Sequence, residues 1–419
     1  MISNSSSLLT IHYYFFTINS SLFMLKGKTI VLGVTGSIAA YKIANLASML
    51  VKLHADVNVI MTQNATHFIT PMTFETLTNN KCIVDTFDRN FDFSVEHVSL
   101  AKRADMFLIA PATANVIGKI ANGICDDMLT TTVMATKAPV VISPAMNTGM
   151  WENPIMQANV EKLKAYGYHI IEPASGRLAC GDTGSGKMPS EETLLQHIEL
   201  TIAKEKDMEG RRVLITAGPT QEAIDPVRFI TNHSSGKMGY ALAKVAAMRG
   251  AEVTLITGPV ALQPFAGVRN VVDVTSAADM FRAVKECSAQ SDIIIMCSAV
   301  ADYTPSDYSS QKVKKKDGDL SLPLARTEDI LKYLGSHKAE NQKIVGFSME
   351  TENLIDNSRQ KLQKKNCDLI CANSINGTDT GFGTSTNRVT LISPTDMREL
   401  PLCSKEETAD LILSYVNQL

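Results

Sequence analysis

Residues 29–53 read TIVLGVTGSIAAYKIANLASMLVKL, an apolar run followed by a glycine-containing loop and a helical pattern. The run TIVLGV is short and continuously apolar, as is typical of a buried parallel strand. After the loop, apolar residues recur at spacings of four, three, four and three, which predicts one face of a helix packed on a sheet. That face consists of Ala39, Ile43, Leu46, Leu50 and Leu53. The stretch therefore predicts the first strand–helix unit of an α/β fold.

Three more apolar runs of strand length follow in the first half: VNVIM (57–61), MFLIAP (106–111) and PVVISPA (139–145). Strands that alternate with helices form a parallel, doubly wound sheet, and such a sheet binds its ligand at the carboxyl ends of the strands. The pattern predicts a Rossmann-like domain of the flavodoxin-like type over residues 26–202.

A charged stretch, AKEKDMEGRR (203–212), interrupts the pattern before it starts again. We place a linker at residues 203–211 and a second doubly wound, Rossmann-like domain at residues 212–419. A chain of 419 residues is long enough for two domains of ordinary size. The predicted strands of the second domain are VLITA (213–217), EVTLIT (252–257), DIIIMCSA (292–299), KIVGFSM (343–349), CDLICA (367–372) and RVTLIS (388–393).

Composition narrows the class of protein. The net charge of −3 gives no bulk electrostatic reason to expect a nucleic acid or a membrane surface as a partner. The eight cysteines lack the spacing of a disulfide framework, which is typical of reduced thiols in a cytoplasmic protein. Residues 1–25 carry no Lys, Arg, Asp or Glu and lack the features of a signal peptide. We interpret them as a dispensable or misannotated extension, with Met24 as the candidate start.

The loop after the first strand, Gly33–Ile38, is the first candidate ligand site. Glycines allow close backbone approach, and the following helix N-terminus offers N–H groups to a phosphate. A tight turn without a ligand is the alternative. The full G-x-G-x-x-G motif is missing, and the second strand ends in Thr62-Gln63-Asn64 rather than in the acid that binds a dinucleotide ribose. These features favour a mononucleotide such as FMN over NAD.

Three long motifs carry a resemblance to a known family: residues 95–133 (VEHVSLAKRADMFLIAPATANVIGKIANGICDDMLTTTV), PAMNTGMW (144–151) and LACGDTGSGKM (178–188). They resemble the flavin-dependent cysteine decarboxylases. With its second half included, the chain is similar, from about Met24 to its C-terminus, to the bacterial bifunctional enzymes of coenzyme A synthesis. Those enzymes combine phosphopantothenoylcysteine decarboxylase with phosphopantothenate–cysteine ligase.

The resemblance implies roles for the first half. His97 is the expected base, Asn147 orients the substrate carboxylate, and Cys180 is the expected proton donor. FMN would oxidise the substrate thiol to a thioaldehyde, which accepts the electrons released with CO2. Alone, these residues would be interpreted as a surface histidine, a turn-closing asparagine and a buried thiol. The residues expected to hold FMN are Gly36, Ser37, Ile38, Thr62, Ala110, Pro111, Ala112, Thr113 and Asn115.

The second half resembles the ligases. The matching stretch is ITAGPTQEAIDPVRFITNHSSGKMGYALAKVA (215–246), in which Ser234-Ser235-Gly236-Lys237 precedes a predicted helix. Serine is a good N-cap, and the exposed N–H groups of the helix start could bind phosphate; an ordinary capped helix is the alternative. The resemblance implies that Asn232 contacts the acyl-nucleotide intermediate, that Lys312 assists activation, and that Asp302 could bind Mg2+. CTP would activate 4′-phosphopantothenate for attack by the amine of L-cysteine. The expected CTP contacts are Met296, Cys297, Ser298, Asp302, Lys312, Glu328, Asp329, Ile330, Leu331, Phe347, Lys361 and Lys365.

The stretch LACGDTGSGKMPS (178–190) imitates a phosphate-binding loop, because GDTGSGK fills seven positions of G-x-x-x-x-G-K-[ST]. A true loop of this kind follows a strand directly and ends in a hydroxyl that binds Mg2+, whereas Met188 stands here. We predict a mobile loop that carries Cys180, followed by a helix that begins at Ser190.

Two alternatives stay open: a non-catalytic flavoprotein binding module, and a decarboxylase acting on another cysteine-terminated substrate. The preferred interpretation is that the protein is a cytoplasmic, bifunctional enzyme that acts on small molecules. The resemblance also implies a homo-oligomer whose FMN sites lie between subunits.

Overall fold

The computed structural model describes residues 24–87, 96–177, 181, 183–314, 321–350, 352–374 and 386–419. Those up to Lys204 form one compact unit, and those from Glu205 onward form a second. Leu25, assigned above to the N-terminal extension, is fully buried in the core of the first unit, so we place the end of that extension before it. Residues 1–23 lie outside the described residues.

The N-terminal unit is built on a parallel sheet. Its strands are Thr29–Val34 (β1), Asp56–Met61 (β2), Cys82–Ile83 (β3), Met106–Ala112 (β4), Val140–Pro144 (β5) and His169–Ile170 (β6). The spatial order is β3-β2-β1-β4-β5-β6, and every pairing is parallel. Apart from the two-residue β3, this is the flavodoxin-like order. The predicted doubly wound fold is confirmed.

Helices cover both faces of this sheet. They are Ala40–Lys52 (α1), Pro71–Thr78 (α2), Glu96–Arg103 (α3), Ala114–Ala121 (α4), Met128–Ala135 (α5), Thr148–Trp151 (α6), Pro154–Ala165 (α7) and Glu191–Ile202 (α8). A short 3-10 helix, Gln63–His67, follows β2. Ile43, Leu46 and Leu50 of α1 are fully buried, and Ala39 and Leu53 pack at the margin of the same core. The predicted helical face is thereby confirmed.

The glycine-rich segment near residue 184 differs from the prediction. Instead of a mobile loop, Thr183–Lys187 (β8) is a strand paired antiparallel with Ala174–Arg177 (β7). Its glycines permit close packing, because a Cβ added to Gly184 would lie 2.6 Å from the Thr148 hydroxyl oxygen. The predicted helix start is confirmed, since the Ser190 side chain accepts a hydrogen bond from the Thr193 N–H.

The C-terminal unit holds a larger sheet and three small two-stranded sheets. In chain order, its strands are Arg212–Ala217 (β9), Gln221–Ala223 (β10), Phe229–Thr231 (β11), Glu252–Thr257 (β12), Asn270–Asp273 (β13), Ile293–Met296 (β14), Tyr303–Pro305 (β15), Leu324–Arg326 (β16), Lys343–Glu350 (β17), Leu369–Ser374 (β18), Thr386–Asn387 (β19), Val389–Ile392 (β20), Met397–Glu399 (β21) and Cys403–Ser404 (β22). Its helices are Lys237–Met248 (α9), Ala277–Ser288 (α10), Ile330–Ser336 (α11), Leu354–Lys364 (α12) and Lys405–Val416 (α13).

The large sheet has the order β13-β12-β9-β14-β17-β18-β20-β21. Its first six strands are mutually parallel, β20 pairs antiparallel with β18, and β21 pairs antiparallel with β20. All six predicted strands are present, although β14 ends at Met296, before the predicted end at residue 299. The sheet confirms a second doubly wound domain.

The start of α9 differs from the predicted serine cap. The N-cap is Gly236, which has a φ of 75° and therefore lies in the left-handed region that favours glycine. Ser234 and Ser235 precede the cap, and the Ser234 hydroxyl accepts a hydrogen bond from the Gly236 N–H at 3.4 Å. Among the described helices of both units, none combines the length and apolar character needed to cross a bilayer.

Candidate active sites

The candidate FMN residues of the N-terminal unit lie at one edge of its sheet. Gly36, Ser37 and Ile38 follow β1, and Thr62 follows β2. Residues 110–112 end β4, and Thr113 is the N-cap of α4. Because the chain continues from β1 to β2 on one side and returns to β4 on the other, a crevice opens between β1 and β4. The exposed Asn115 lies in the first turn of α4.

Thr35 joins two of these loops. It is fully buried, and its hydroxyl donates to the Pro111 carbonyl oxygen at 2.5 Å and accepts from the Thr113 N–H at 3.0 Å. The peptide bond between Ala110 and Pro111 is cis. Thr35 was not among the predicted site residues. A hydroxyl in V-T-G-S, directly after an apolar strand, could have indicated a side chain that holds the neighbouring loop.

The crevice provides polar groups that suit a phosphate or a ribityl chain. The buried Thr62 hydroxyl oxygen has no hydrogen-bond partner among the described residues. A Cβ added to Gly36 would lie 2.6 Å from the Asn64 Cβ, so glycine allows the first loop to approach the loop after β2. A buried hydroxyl without a partner is costly unless a ligand or water satisfies it, so these residues fit FMN.

The three predicted decarboxylase residues differ in how far the structure describes them. His97 is half-buried in the first turn of α3. Asn147 follows β5 and caps α6, where its side-chain oxygen accepts the Gly149 N–H at 2.8 Å. Cys180 lies outside the described residues, between β7 and β8. The hairpin itself is joined to the Asn147 segment, because the Met146 N–H donates to the Gly186 carbonyl oxygen at 3.0 Å.

A large cleft of about 890 Å³ opens in the C-terminal unit at the carboxyl ends of β14 and β17. Ten of the twelve predicted nucleotide contacts line this cleft, whereas Cys297 and Lys312 lie outside its lining. The ten are Met296, Ser298, Asp302, Glu328, Asp329, Ile330, Leu331, Phe347, Lys361 and Lys365. Residues from separate parts of the sequence thus meet in one concave site of nucleotide size.

Charged groups in this cleft are held in defined positions. The Lys361 ammonium group donates to the Phe347 carbonyl oxygen at 2.8 Å, and burial lowers the pKa of Lys361. Lys365 forms an ion pair with Asp329, whose carboxylate also caps α11 by accepting the Lys332 N–H at 2.9 Å. Lys361 and Lys365 therefore place two cationic side chains in the lining of the cleft, and cations of this kind would offset the charge of a triphosphate.

A smaller pocket of about 150 Å³ adjoins the cleft and shares Ser298 and Phe347 with it. The start of α9, from Ser234 to Gly239, forms one wall, and Cys297 lies here. Asn373, Asn387 and Lys405 are among the lining residues that were not predicted from the sequence. Lys405 is buried and donates to the Asn387 side-chain oxygen at 3.0 Å; burial, and then the nearby Lys237, lower its pKa.

Thr216 holds the loop between the two pockets. Its hydroxyl oxygen accepts the N–H groups of Cys297 and Ser298, both at 3.1 Å, and it lies 2.8 Å from the Ser298 hydroxyl. Thr216 is fully buried at the end of β9, next to β14. The contact explains why β14 ends at Met296: the next two N–H groups bond to a side chain rather than to a neighbouring strand.

Asn232 and Lys312 lie outside the linings of both pockets. The Asn232 side-chain amide donates to the Ala299 carbonyl oxygen at 3.1 Å, and Lys312 is exposed on the loop after β15. Asp302 is exposed at the mouth of the cleft. In the part of the chain that the structure describes, no cluster of three or more His, Cys, Asp or Glu could hold a metal ion. Asp302 would therefore need phosphate oxygens to complete a Mg2+ site.

Comparisons with known proteins match both halves of the chain. A family model described as "Flavoprotein" matches residues 18–203, and one described as "DNA/pantothenate metabolism flavoprotein C-terminal domain" matches residues 208–419. The chain is 47% identical over 399 residues to the coenzyme A biosynthesis bifunctional protein CoaBC of Bacillus subtilis (strain 168), covering 94% of this chain and 98% of that protein. It is 42% identical over 395 residues to the protein of the same name from Borreliella burgdorferi, covering 94% and 100%.

Solved structures resemble the two halves separately. The C-terminal domain of a coenzyme A biosynthesis bifunctional protein CoaBC is 42% identical, covers 51% of this chain and 97% of that chain, and has a TM-score of 0.44. The FMN-binding protein AtHal3 is 32% identical, covers 42% and 96%, and has a TM-score of 0.37.

Proposed function

The chain belongs to the family of coenzyme A biosynthesis bifunctional proteins, and on that premise we propose which residues perform its two reactions. The C-terminal unit is the phosphopantothenate–cysteine ligase, and the N-terminal flavoprotein unit is the phosphopantothenoylcysteine decarboxylase. The observation that carries the assignment of residues is the convergence of ten predicted contacts on one cleft. CTP, Mg2+ and the individual residue roles are part of the proposal.

The ligation needs an activated carboxylate, because a free carboxylate is a poor acceptor for an amine. We propose that the large cleft binds CTP and that Lys361 and Lys365 offset the charge of its phosphates. Asp302 would help to hold Mg2+, which would neutralise negative charge on the triphosphate. The carboxylate of 4′-phosphopantothenate attacks the α-phosphorus, pyrophosphate leaves, and an acyl-cytidylate forms. The amine of L-cysteine then attacks the acyl carbon, and CMP leaves. Asn232 contacts the acyl-cytidylate, and Lys312 assists its formation.

The decarboxylation is assigned to the crevice between β1 and β4. FMN, when bound there, supplies oxidation of the substrate thiol and the later return of a hydride. His97 accepts the proton that leaves with oxidation, since an imidazole nitrogen can act as a general base. The Asn147 carboxamide orients the substrate carboxylate, and Cys180 supplies the final proton. Gly36 and Thr62 would hold the phosphate and the ribityl chain of the cofactor.

We further propose that the protein is a cytoplasmic homo-oligomer whose FMN sites lie between subunits. Several large apolar side chains of the N-terminal unit are exposed, among them Ile38, Phe68, Met72 and Met150, and this supports the oligomer. Contact with another chain would remove such apolar surface from water. None of the seven described cysteines forms a disulfide, which suits a reducing compartment. Light scattering would find a single subunit mass if the oligomer proposal were wrong.

The function is tested by incubating the purified full chain with 4′-phosphopantothenate, L-cysteine, CTP and Mg2+ and following products by mass. We expect phosphopantothenoylcysteine first and then 4′-phosphopantetheine, with one CO2 released per molecule. Omitting cysteine should stop the reaction at the acyl-cytidylate and pyrophosphate. The assignment is wrong if neither product forms from protein that contains stoichiometric FMN. Replacing CTP by ATP tests the nucleotide preference.

A further inference from the structure

A buried carboxylate in the C-terminal unit lies outside the linings of both pockets. Asp225 is 2% exposed and stands in the turn between β10 and β11. Its Oδ1 accepts the N–H groups of Val227 and Arg228, both at 2.9 Å. Its Oδ2 accepts the Arg228 guanidinium at 3.0 and 2.5 Å and the Val313 N–H at 3.1 Å. The carboxylate therefore accepts hydrogen bonds from five N–H groups, which belong to two segments that are distant along the chain.

The second segment is the loop that carries Lys312. Val313, the next residue, is bound at both of its backbone polar groups, because its carbonyl oxygen also accepts the Arg228 guanidinium at 3.0 Å. Four residues earlier, the Ser309 N–H donates to the Ile224 carbonyl oxygen at 3.1 Å. The loop is thus attached to the β10–β11 turn by contacts at Ser309 and Val313.

The first segment leads to the other predicted ligation residue. From the Asp225 turn the chain runs through β11, Phe229–Thr231, directly into Asn232. The Asn232 side chain then bonds to Ala299 at the carboxyl end of β14. Asp225 and its partner Arg228 therefore connect the segment that presents Asn232 with the loop that presents Lys312.

We propose that Asp225 is a positioning residue for the ligation, and that its carboxylate fixes the Lys312 loop relative to the Asn232 segment. The proposal rests on the proposed function of the C-terminal unit. Bidentate bonds between a guanidinium and a carboxylate are directional, and a buried charge that loses its partner is strongly unfavourable. A loop attached this way keeps its cation in one place before the nucleotide arrives, which lowers the entropic cost of binding.

The main test compares Asp225→Asn with Asp292→Asn in the full chain. Asp292 makes a similar pair, since it accepts the N–H and the guanidinium of Arg212, but it lies at the amino end of β14, away from the cleft. For Asp225→Asn we expect the KM for CTP in the ligation to rise about ten-fold or more, because the nucleotide must then order the loop. For Asp292→Asn we expect KM and kcat to stay within about two-fold of wild type.

A second pair of variants tests the backbone contact without removing a charge. Val313→Pro deletes the N–H that donates to Asp225, whereas Val313→Ala keeps the N–H and shortens the side chain. We expect Val313→Pro to raise the KM for CTP in the same direction as Asp225→Asn, and Val313→Ala to behave as wild type. Hydrogen exchange at residues 311–314 should accelerate in the Asp225→Asn and Val313→Pro variants and be slowed again by saturating CTP.

The outcomes of these experiments distinguish failure of the positioning role from failure of the proposed ligase function. Wild-type protein that fails to ligate refutes the function itself. An unchanged KM for CTP in Asp225→Asn overturns the positioning role. Equal loss of ligation in Asp225→Asn and Asp292→Asn, or loss of ligation in both Val313 variants, shows a general structural effect and also overturns it. Decarboxylation of supplied phosphopantothenoylcysteine should be unchanged in all four variants, which confirms that the N-terminal unit is intact.

Discussion

At the scale of single residues, two buried threonines perform similar tasks in the two units. Thr35 ties the loop after β1 to the start of α4, and Thr216 ties β9 to the loop after β14. In both units, one threonine hydroxyl forms hydrogen bonds with backbone groups of a loop. That loop lies at the edge of the parallel sheet, where the pairing between strands has ended. A buried backbone group that loses such a partner costs about 1–3 kcal/mol.

Replacing Thr35 by valine should therefore destabilise the FMN crevice. Valine keeps the shape of the side chain but leaves the Thr113 N–H without its partner. We expect a loss of about 1–3 kcal/mol in the free energy of unfolding of the N-terminal transition and weaker FMN retention. Urea unfolding and flavin absorbance after gel filtration measure both. Thr35→Ser keeps the hydroxyl and is the control; equal stability of the two variants would contradict the role.

Asn147 combines a structural and a proposed chemical role, and two substitutions separate them. Asn147→Ser keeps a good N-cap for α6 but removes the carboxamide, whereas Asn147→Ala removes both. We expect decarboxylation to fall at least about ten-fold in both variants, and stability to fall by about 1 kcal/mol in the alanine variant alone. CO2 release measures the decarboxylation. If Asn147→Ser still decarboxylates substantially, Asn147 acts only as a helix cap.

Asp225 should also make stability depend on pH. The guanidinium of Arg228, followed by backbone N–H groups, holds the pKa of Asp225 well below its usual range. A lowered pKa in the folded state stabilises the fold above the ordinary value near 4 and loses this effect as pH falls further. Calorimetry between pH 3 and 7 should show a stability gap between wild type and Asp225→Asn that narrows below about pH 4. A gap that does not change with pH would contradict this.

At the scale of elements, the β7–β8 hairpin packs its glycines against α6. The Gly186 carbonyl oxygen accepts the Met146 N–H, and Gly184 faces Thr148, so small residues let the strand lie directly on the segment that presents Asn147. The Thr148 hydroxyl oxygen is buried without a hydrogen-bond partner among the described residues. The hairpin and the capped helix therefore form one packed assembly beside the crevice.

Enlarging Gly184 should disturb this packing. Gly184→Ala places a Cβ 2.6 Å from the Thr148 hydroxyl oxygen, so either the Thr148 side chain or the backbone must shift, at a cost of about 1–3 kcal/mol. We expect lower stability and slower decarboxylation, measured by thermal unfolding and CO2 release. Gly118→Ala in α4 is the control, because its nearest neighbour is 3.9 Å away and alanine favours a helix. Identical behaviour of the two variants would refute the packing argument.

At the scale of the whole molecule, the chain consists of two doubly wound units, each with its candidate site at the carboxyl ends of its own strands. The ligation product is the substrate of the decarboxylation, so the two units act in series. The two activities should therefore be separable by substitution.

Mixing two single-defect proteins tests this separation. Asn232→Ala should lose ligation and keep decarboxylation, while Asn147→Ser should lose decarboxylation and keep ligation. A mixture should make 4′-phosphopantetheine from 4′-phosphopantothenate, because the intermediate can diffuse between molecules. Mass analysis of products from each protein alone and from the mixture decides the matter. Loss of both activities in either single variant would show that the sites depend on each other.

The sequence by itself determined ten strands of the two main sheets, the first helix and the two-domain plan, because these depend on local periodicity. The apolar runs that became β1 and β9, and the helical face of α1, are set by residues within a few positions of each other. The resemblance of the long motifs supplied the candidate residues.

Only the tertiary structure decided which of those residues meet and what supports them. β8 is a strand where a loop was predicted, because its glycines pack on α6 and α6 is distant from β8 along the chain. Lys405, Asn373 and Asp225 gained their roles from contacts with residues distant along the chain. Periodicity reports which side of an element is buried, whereas the partner of a buried polar group depends on how separate elements pack.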